Sequence, residues 1–148
     1  MYIEIYIIQY VLYNIKLAKS KQKFSIKILY KGDVDMLKND FVEREMSQRP
    51  GTEGTPKMIT ILDAQTMKDK GRLFAKITLQ PGEKLGEHKH EGEWEAFYCI
   101  SGNGAVTVDG VVEDLAPGAL SFTPSGGTHS IANTGDEPFV IMALILNE

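Results

Sequence analysis

From residue 58 onward, short apolar and β-branched runs recur at close intervals, at 58–62, 72–79, 96–100, 105–108, 111–115, 120–123, 130–132 and 139–146. Turn-forming residues stand between them: Pro81-Gly82, Gly102-Asn103-Gly104, Asp109-Gly110, Pro117-Gly118 and Thr134-Gly135. Each is suited to positive φ or to a fixed φ that a regular strand cannot use. Asp109-Gly110 lies between two β-branched runs and predicts a two-residue hairpin, because a type I′ turn needs positive φ at both central positions. No long helical period interrupts this series. Many short strands with regular turns predict an all-β sandwich or barrel, and closure of a barrel removes exposed strand edges. Period-two alternation puts Glu95, Phe97 and Cys99 on one strand face and Ala96, Tyr98 and Ile100 on the other.

The pattern changes toward the N-terminus. Residues 1–30 are dominated by Ile, Tyr, Lys and Asn and contain no Gly, Pro, Asp or His, whereas all 14 glycines and 6 prolines follow from Gly32 onward. Three parts are expected: an extension over 1–35, a charged segment over 36–57 whose Pro50-Gly51, Gly54 and Pro56 read as loop, and a barrel over 58–148. The extension has the composition of translated A/T-rich DNA. Lys31-Gly32-Asp33 can be encoded by a ribosome-binding sequence at a usual bacterial distance from Met36, so Met36 is the expected natural start. The competing expectation is a hairpin or helix over 2–30 that packs on the barrel or on a partner subunit. Intact mass of the native protein decides between them, and a mass that includes Met1 defeats the first.

Composition narrows the function classes. A length of 148 residues fits one domain with its own core, and 43% hydrophobic with 24% charged residues is ordinary for a soluble globular protein. A net charge of −4 gives no electrostatic footprint for nucleic acid. The most apolar stretch, 2–15, is too short for a membrane helix and is broken by Glu4, Gln9 and Asn14. It lacks the basic start and small-residue cleavage site of a signal peptide. A single cysteine, Cys99, excludes an internal disulfide. The expectation is a cytoplasmic protein without a nucleic-acid or membrane partner.

The candidate chemistry is concentrated. All three histidines fall within the 42-residue span 88–129. His88 and His90 stand two apart, so on a strand both imidazoles face one side. Glu95 follows the Glu91-Gly92 turn, and His129 follows the Pro124-Ser125-Gly126-Gly127 turn. A lone histidine is more often structural than a ligand, and the acidic run Glu91, Glu93, Glu95 alone would read as a solvated face. Three neutral imidazoles and one carboxylate together suit a divalent first-row metal.

Spacing singles out the set. Gly82, His88, His90, Glu95 and Gly102 match G-x5-H-x-H-x4-E-x6-G at every fixed position, and Gly118, Pro124, Gly126, His129 and Asn133 match G-x5-P-x-G-x2-H-x3-N in the same way. Residues 82–133 thus resemble the two motifs of small single-domain bacterial cupins. The resemblance implies a double-stranded β-helix (jelly-roll) barrel, usually a homodimer. It implies one metal ion on His88, His90, Glu95 and His129, drawn from manganese, iron, nickel, cobalt or zinc. Glu93 is the rival to Glu95 as ligand.

Around this set, Cys99, Phe122 and Phe139 are expected in the core, and Asn133 is expected to bond backbone near a turn. Arg72 and Lys76 could hold an anion if their face lined the opening, although solvated surface is the preferred reading. Trp94 and Tyr98 are candidates for a dimer interface or for covering the entrance. The preferred function is a metal-dependent enzyme of dioxygenase, decarboxylase or isomerase type, acting on a small carboxylate, keto or sugar-like molecule. A non-catalytic metal-dependent binding protein is the alternative. No second acid or base is evident, which weakens proton-transfer chemistry. The catalytic residues, the metal's identity and the substrate stay open at this level.

Overall fold

The computed structural model describes residues 29–30, 34–35 and 39–148. The expectations for 1–28, including the hairpin or helix over 2–30, and for the start at Met36 therefore lie outside the described residues. Two compact units divide at Asp40. In the first, β1 (Leu29–Tyr30) and β2 (Val34–Asp35) pair antiparallel, with Leu29 opposite Asp35.

The second unit, Phe41–Glu148, is an antiparallel jelly-roll, of the all-β kind that the turn spacing predicts and the type that the resemblance implies. Its strands are β3 (Glu43–Glu45), β4 (Lys57–Asp63), β5 (Gly71–Leu79), β6 (Lys84–Lys89), β7 (Glu93–Ser101), β8 (Gly104–Val108), β9 (Val111–Leu115), β10 (Leu120–Thr123), β11 (Thr128–Asn133) and β12 (Phe139–Asn147). They form a six-stranded sheet in the order β10-β7-β12-β5-β4-β3 and a four-stranded sheet in the order β6-β11-β8-β9. The long apolar strand β12 sits between β5 and β7 and alternates buried Phe139, Ile141, Ala143 and Ile145 with half-buried residues. Phe139, Ile141 and Ala143 pack with Ile77, Leu79, Phe97 and Cys99 of the same sheet and with Leu85, Val106 and Ile131 of the other. Facing sheets bury alternate residues of every strand, so one core serves both. Among the described residues no helix is long and apolar enough to cross a membrane.

Local chemistry explains the connections. Asp109 and Gly110 take φ of 48° and 81°, and Val108 pairs with Val111 across them, as the type I′ signal requires. Asn133, buried, donates to the carbonyls of Leu79 (2.9 Å) and Glu137 (2.8 Å) and accepts from the Gly135 amide (2.9 Å), tying three chain segments together. A single helical turn, α1 (Ala64–Met67), is capped by Asp63, whose carboxylate accepts from the Thr66 amide at 2.8 Å.

Three features depart from the sequence reading. The charged segment over 36–57, to which the sequence reading assigns no strand, contains β3, an exposed Glu-Arg-Glu edge strand paired to β4; charge on an edge discourages pairing with other chains. Strand β6 was absent from the apolar runs because Leu85 is its only large apolar residue; it forms through its pairing with β11. Phe122 is not a core residue. It lies across from outward-facing Ala96 and is 51% exposed, whereas its neighbour Thr123 lies across from Glu95 and is fully buried. Phe122 instead meets the Trp94 ring at 5.4 Å and shares an exposed apolar face with Tyr98, Ile100 and Leu120.

Candidate metal centre

Strands β6, β7 and β11 bring His88, His90, Glu95 and His129 together, with one potential ligand atom from each lying within 4.8 Å of all the others. His129 sits across from His88 in the β6–β11 ladder. Between His129 and Ile131 the register slips by one residue, since Ile131 faces Leu85, and the extra residue on β6 is a bulge beside the site. His90 lies just past the end of β6. Its backbone carbonyl accepts from the Gly126 amide (2.7 Å) and its amide donates to the Gly127 carbonyl (3.1 Å). The turn that presents His129 and the strand that presents His90 therefore hold each other.

The three imidazoles point the same atom inward. His129 Nε2 lies 3.0 Å from both His88 Nε2 and His90 Nε2, and Glu95 Oε2 lies 2.8 Å from His129 Nε2, 2.9 Å from His90 Nε2 and 3.6 Å from His88 Nε2. The outer nitrogens have other partners. His88 Nδ1 lies 3.1 Å from the Gly86 carbonyl, His90 Nδ1 lies 2.8 Å from Glu93 Oε1, and His129 Nδ1 lies 2.8 Å from Thr123 Oγ1. A carbonyl and a carboxylate only accept, so Nδ1 of His88 and of His90 carries the proton. In the neutral rings this leaves the Nε2 lone pairs bare. Those lone pairs converge on a buried carboxylate oxygen that makes no hydrogen bond of its own. Such a set is poorly satisfied by protons and well satisfied by one divalent cation, so the residues fit a metal.

Protons on the inner nitrogens are the alternative to a cation beside the Glu95 carboxylate. Burial pushes the Glu95 carboxyl up, but the imidazoles of His129, His88 and His90 outweigh it and hold the group far below the usual carboxylate range. His90 is raised, foremost by Glu95, against the opposing effect of burial and with help from Glu93. His129, stacked on buried Phe97 at 4.6 Å with the rings 3° from parallel, is lowered by burial. Glu95 is ionised throughout the ordinary pH range, as a ligand must be.

Glu93 does not join the ligand set. Its carboxylate binds His90 Nδ1 on one side and the Arg72 guanidinium on the other, with both Arg72 contacts being direct hydrogen bonds. Arg72 holds Glu93 ionised, and burial opposes this only in part. Glu93 thus orients the His90 ring and makes its inner nitrogen a better donor. A Glu93→Gln variant is expected to lose about tenfold in metal affinity while retaining the ion at saturation. A titration against a competing chelator measures it, and unchanged affinity contradicts this role for Glu93.

The sequence reading therefore has its four candidate ligands in one place. Arg72 is at the rim but committed to Glu93. Cys99 is buried, its thiol directed at the carbonyls of Ser101 and Gly102 and raised by burial, as befits a core residue. Tyr98 is exposed on the outer face and Trp94 packs on Phe122, so neither covers the ligand set. Two supporting residues escaped notice, Thr123 and Gly86. The former was visible as the polar residue before Pro124 with the inward parity of its strand. No sequence signal marked the carbonyl of Gly86.

Comparison with known proteins gives the family. The model described as "Cupin domain" matches residues 75–145. The oxalate-binding protein of Thermotoga maritima is 36% identical over 108 residues, which cover 73% of this chain and 89% of that protein. A crystal structure described as a predicted oxalate decarboxylase from the same organism superposes with a TM-score of 0.70 at 36% identity, covering 74% of this chain and 95% of the other. A glucose-6-phosphate isomerase of Thermococcus litoralis is 26% identical over 122 residues; the match spans 73% of this chain and 64% of that enzyme. With both motifs intact, the ligand set assembled and a relative of this similarity along most of its length, the chain belongs to the cupin family.

Proposed function

We propose that this protein binds one divalent first-row metal ion through His88, His90, Glu95 and His129, and that the ion captures a small chelating carboxylate of the oxalate class. The observation that carries this is the convergence of three imidazole Nε2 atoms on an orphaned buried carboxylate oxygen. Four protein atoms leave two positions open on a six-coordinate ion, which suits an anion offering two oxygens. The oxalate-binding relative supports the choice of anion. Isomerase chemistry is less favoured, because Glu93, the carboxylate nearest the ligands, is occupied by His90 and Arg72 and is not available to move a substrate proton.

The ion, when bound, supplies Lewis acidity toward carboxylate or carbonyl oxygens. The protein's own contribution is to fix the ligand rings, keep Glu95 ionised and set the centre against the buried side chains of Phe97, Thr123 and His129. Turnover of the bound anion is the second reading, favoured by the same open positions.

Calorimetric titration of manganese-loaded protein with oxalate tests the proposal. Metal-dependent, stoichiometric binding is expected, with none to the metal-free protein. Equal heats with and without metal, or no binding to either, contradict it. Recovery of intact oxalate after prolonged incubation marks a binding protein, whereas release of formate and carbon dioxide marks a decarboxylase.

A further inference from the structure

Residues 46–56 cross the outside of β6 next to the metal ligands, and several contacts hold them there. Glu53 and Lys84 exchange both backbone hydrogen bonds (2.9 and 3.0 Å), and the Gly86 amide donates to Thr52 Oγ1 at 3.1 Å. The backbone of Pro50 and Gly51 lies so close to Gly86 that a Cβ there would stand 2.0 Å from the Pro50 carbonyl oxygen. Only glycine admits this approach. Gly86 is also the residue whose carbonyl lies against His88 Nδ1, so one position of β6 seats the crossing segment and orients a ligand. Met46 to Pro56 (2.8 Å) and Thr52 to Arg49 (3.1 Å) backbone bonds close the segment on itself.

This segment carries Arg49. Its side chain is partly buried, and among the described residues it has neither an ion pair nor a side-chain hydrogen bond. Burial lowers it from the ordinary arginine value, and the charges of Glu95 and Arg72 act on it, which agrees with the seat of its segment beside β6. Arg72 is satisfied by Glu93. Arg49 is the guanidinium left with open donors. A partly buried guanidinium without a partner forfeits hydrogen bonds that water would supply, and its planar fork matches a carboxylate in two parallel contacts.

We infer that Arg49, seated by the contact of Pro50 with Gly86, is the anion-recognising residue of the site and binds the carboxylate oxygens of the metal-held ligand that face away from the ion. The inference rests on the proposed function and adds to it what selects the ligand. A dicarboxylate places two oxygens on the metal and still offers outward oxygens to the guanidinium. A neutral chelator has nothing to give it. Arg49 makes the site selective for anions, whereas the metal alone would select only for chelation.

The test uses the full chain loaded with manganese, titrated with oxalate, as wild type, Arg49→Gln and Arg49→Lys, with metal content measured for each. Arg49→Gln is expected to keep its manganese and lose about ten- to a hundredfold in oxalate affinity. Arg49→Lys is expected to fall between the two, since an ammonium keeps the charge and loses the fork. Oxalate affinity unchanged in Arg49→Gln overturns the assignment of Arg49 and leaves the proposed function standing. Loss of manganese together with oxalate in Arg49→Gln overturns it too, because the residue would then support the fold and not the anion. Failure of manganese-loaded wild type to bind oxalate overturns the anion reading itself, and Arg49's role with it.

Discussion

A His88→Ala/His90→Ala protein is expected to fold with its strand content intact and to bind no metal at micromolar supply. The two substitutions remove two of the three converging Nε2 atoms and leave only Glu95 and His129, which cannot enclose a first-row ion. The fold survives because most of its apolar core, in Phe139, Ile141, Leu79, Ile77 and their neighbours across the two sheets, does not depend on these two side chains. His88 is also partly accessible, so its truncation opens no deep cavity, whereas His90 is fully buried and its truncation carries a stability cost of its own. Elemental analysis with circular dichroism on the same sample reads both halves of the expectation. One equivalent of metal retained in the double variant rules out this ligand set.

Phe97→Ala is expected to cost about 3–5 kcal/mol of stability, a large part of what a domain of this size has. Phe97 is 1% exposed, lies at the junction of the apolar core and the metal centre, and lies flat against the His129 ring. Truncation removes core contacts and also the surface that fixes His129 against Thr123. Metal affinity should therefore fall along with stability, although no ligand has changed. Phe97→Leu, which keeps most of the volume, should cost less than about 1.5 kcal/mol and largely restore metal binding. Urea unfolding of metal-free protein gives the first number and chelator competition the second. A loss below about 1 kcal/mol in Phe97→Ala would mean that the ring is not a structural support of the site.

How much of this was legible in the sequence depends on what carried the signal. The barrel was legible because turn glycines and period-two alternation are local: Asp109-Gly110 forms its hairpin, and Glu95, Phe97 and Cys99 all face inward. The clustering of the four candidate ligands was legible because the cupin motifs fix the spacing of His88, His90, Glu95 and His129. Other features depend on pairing between distant segments. Strand β6 has one large apolar residue and owes its form to β11. Phe122 is large and aromatic, yet the register of an edge strand turns it outward. Glu93 was read as a rival ligand because it shares parity with Glu95. Distances assign it instead to the outer nitrogen of His90, a difference that no spacing rule expresses. Arg49 stands just before the run read as loop, and only the approach of Pro50 to Gly86 seats its segment beside β6.

The whole account turns on one ion shared by atoms from β6, β7 and β11. Crystals of protein purified without a metal-chelating column, measured across the absorption edge of the metal found by elemental analysis, locate that ion. The expected result is a single anomalous peak within about 2.0–2.3 Å of Nε2 of His88, His90 and His129 and of a Glu95 carboxylate oxygen. An empty centre in protein supplied with manganese, iron, nickel, cobalt and zinc, or a peak bound elsewhere, would contradict it.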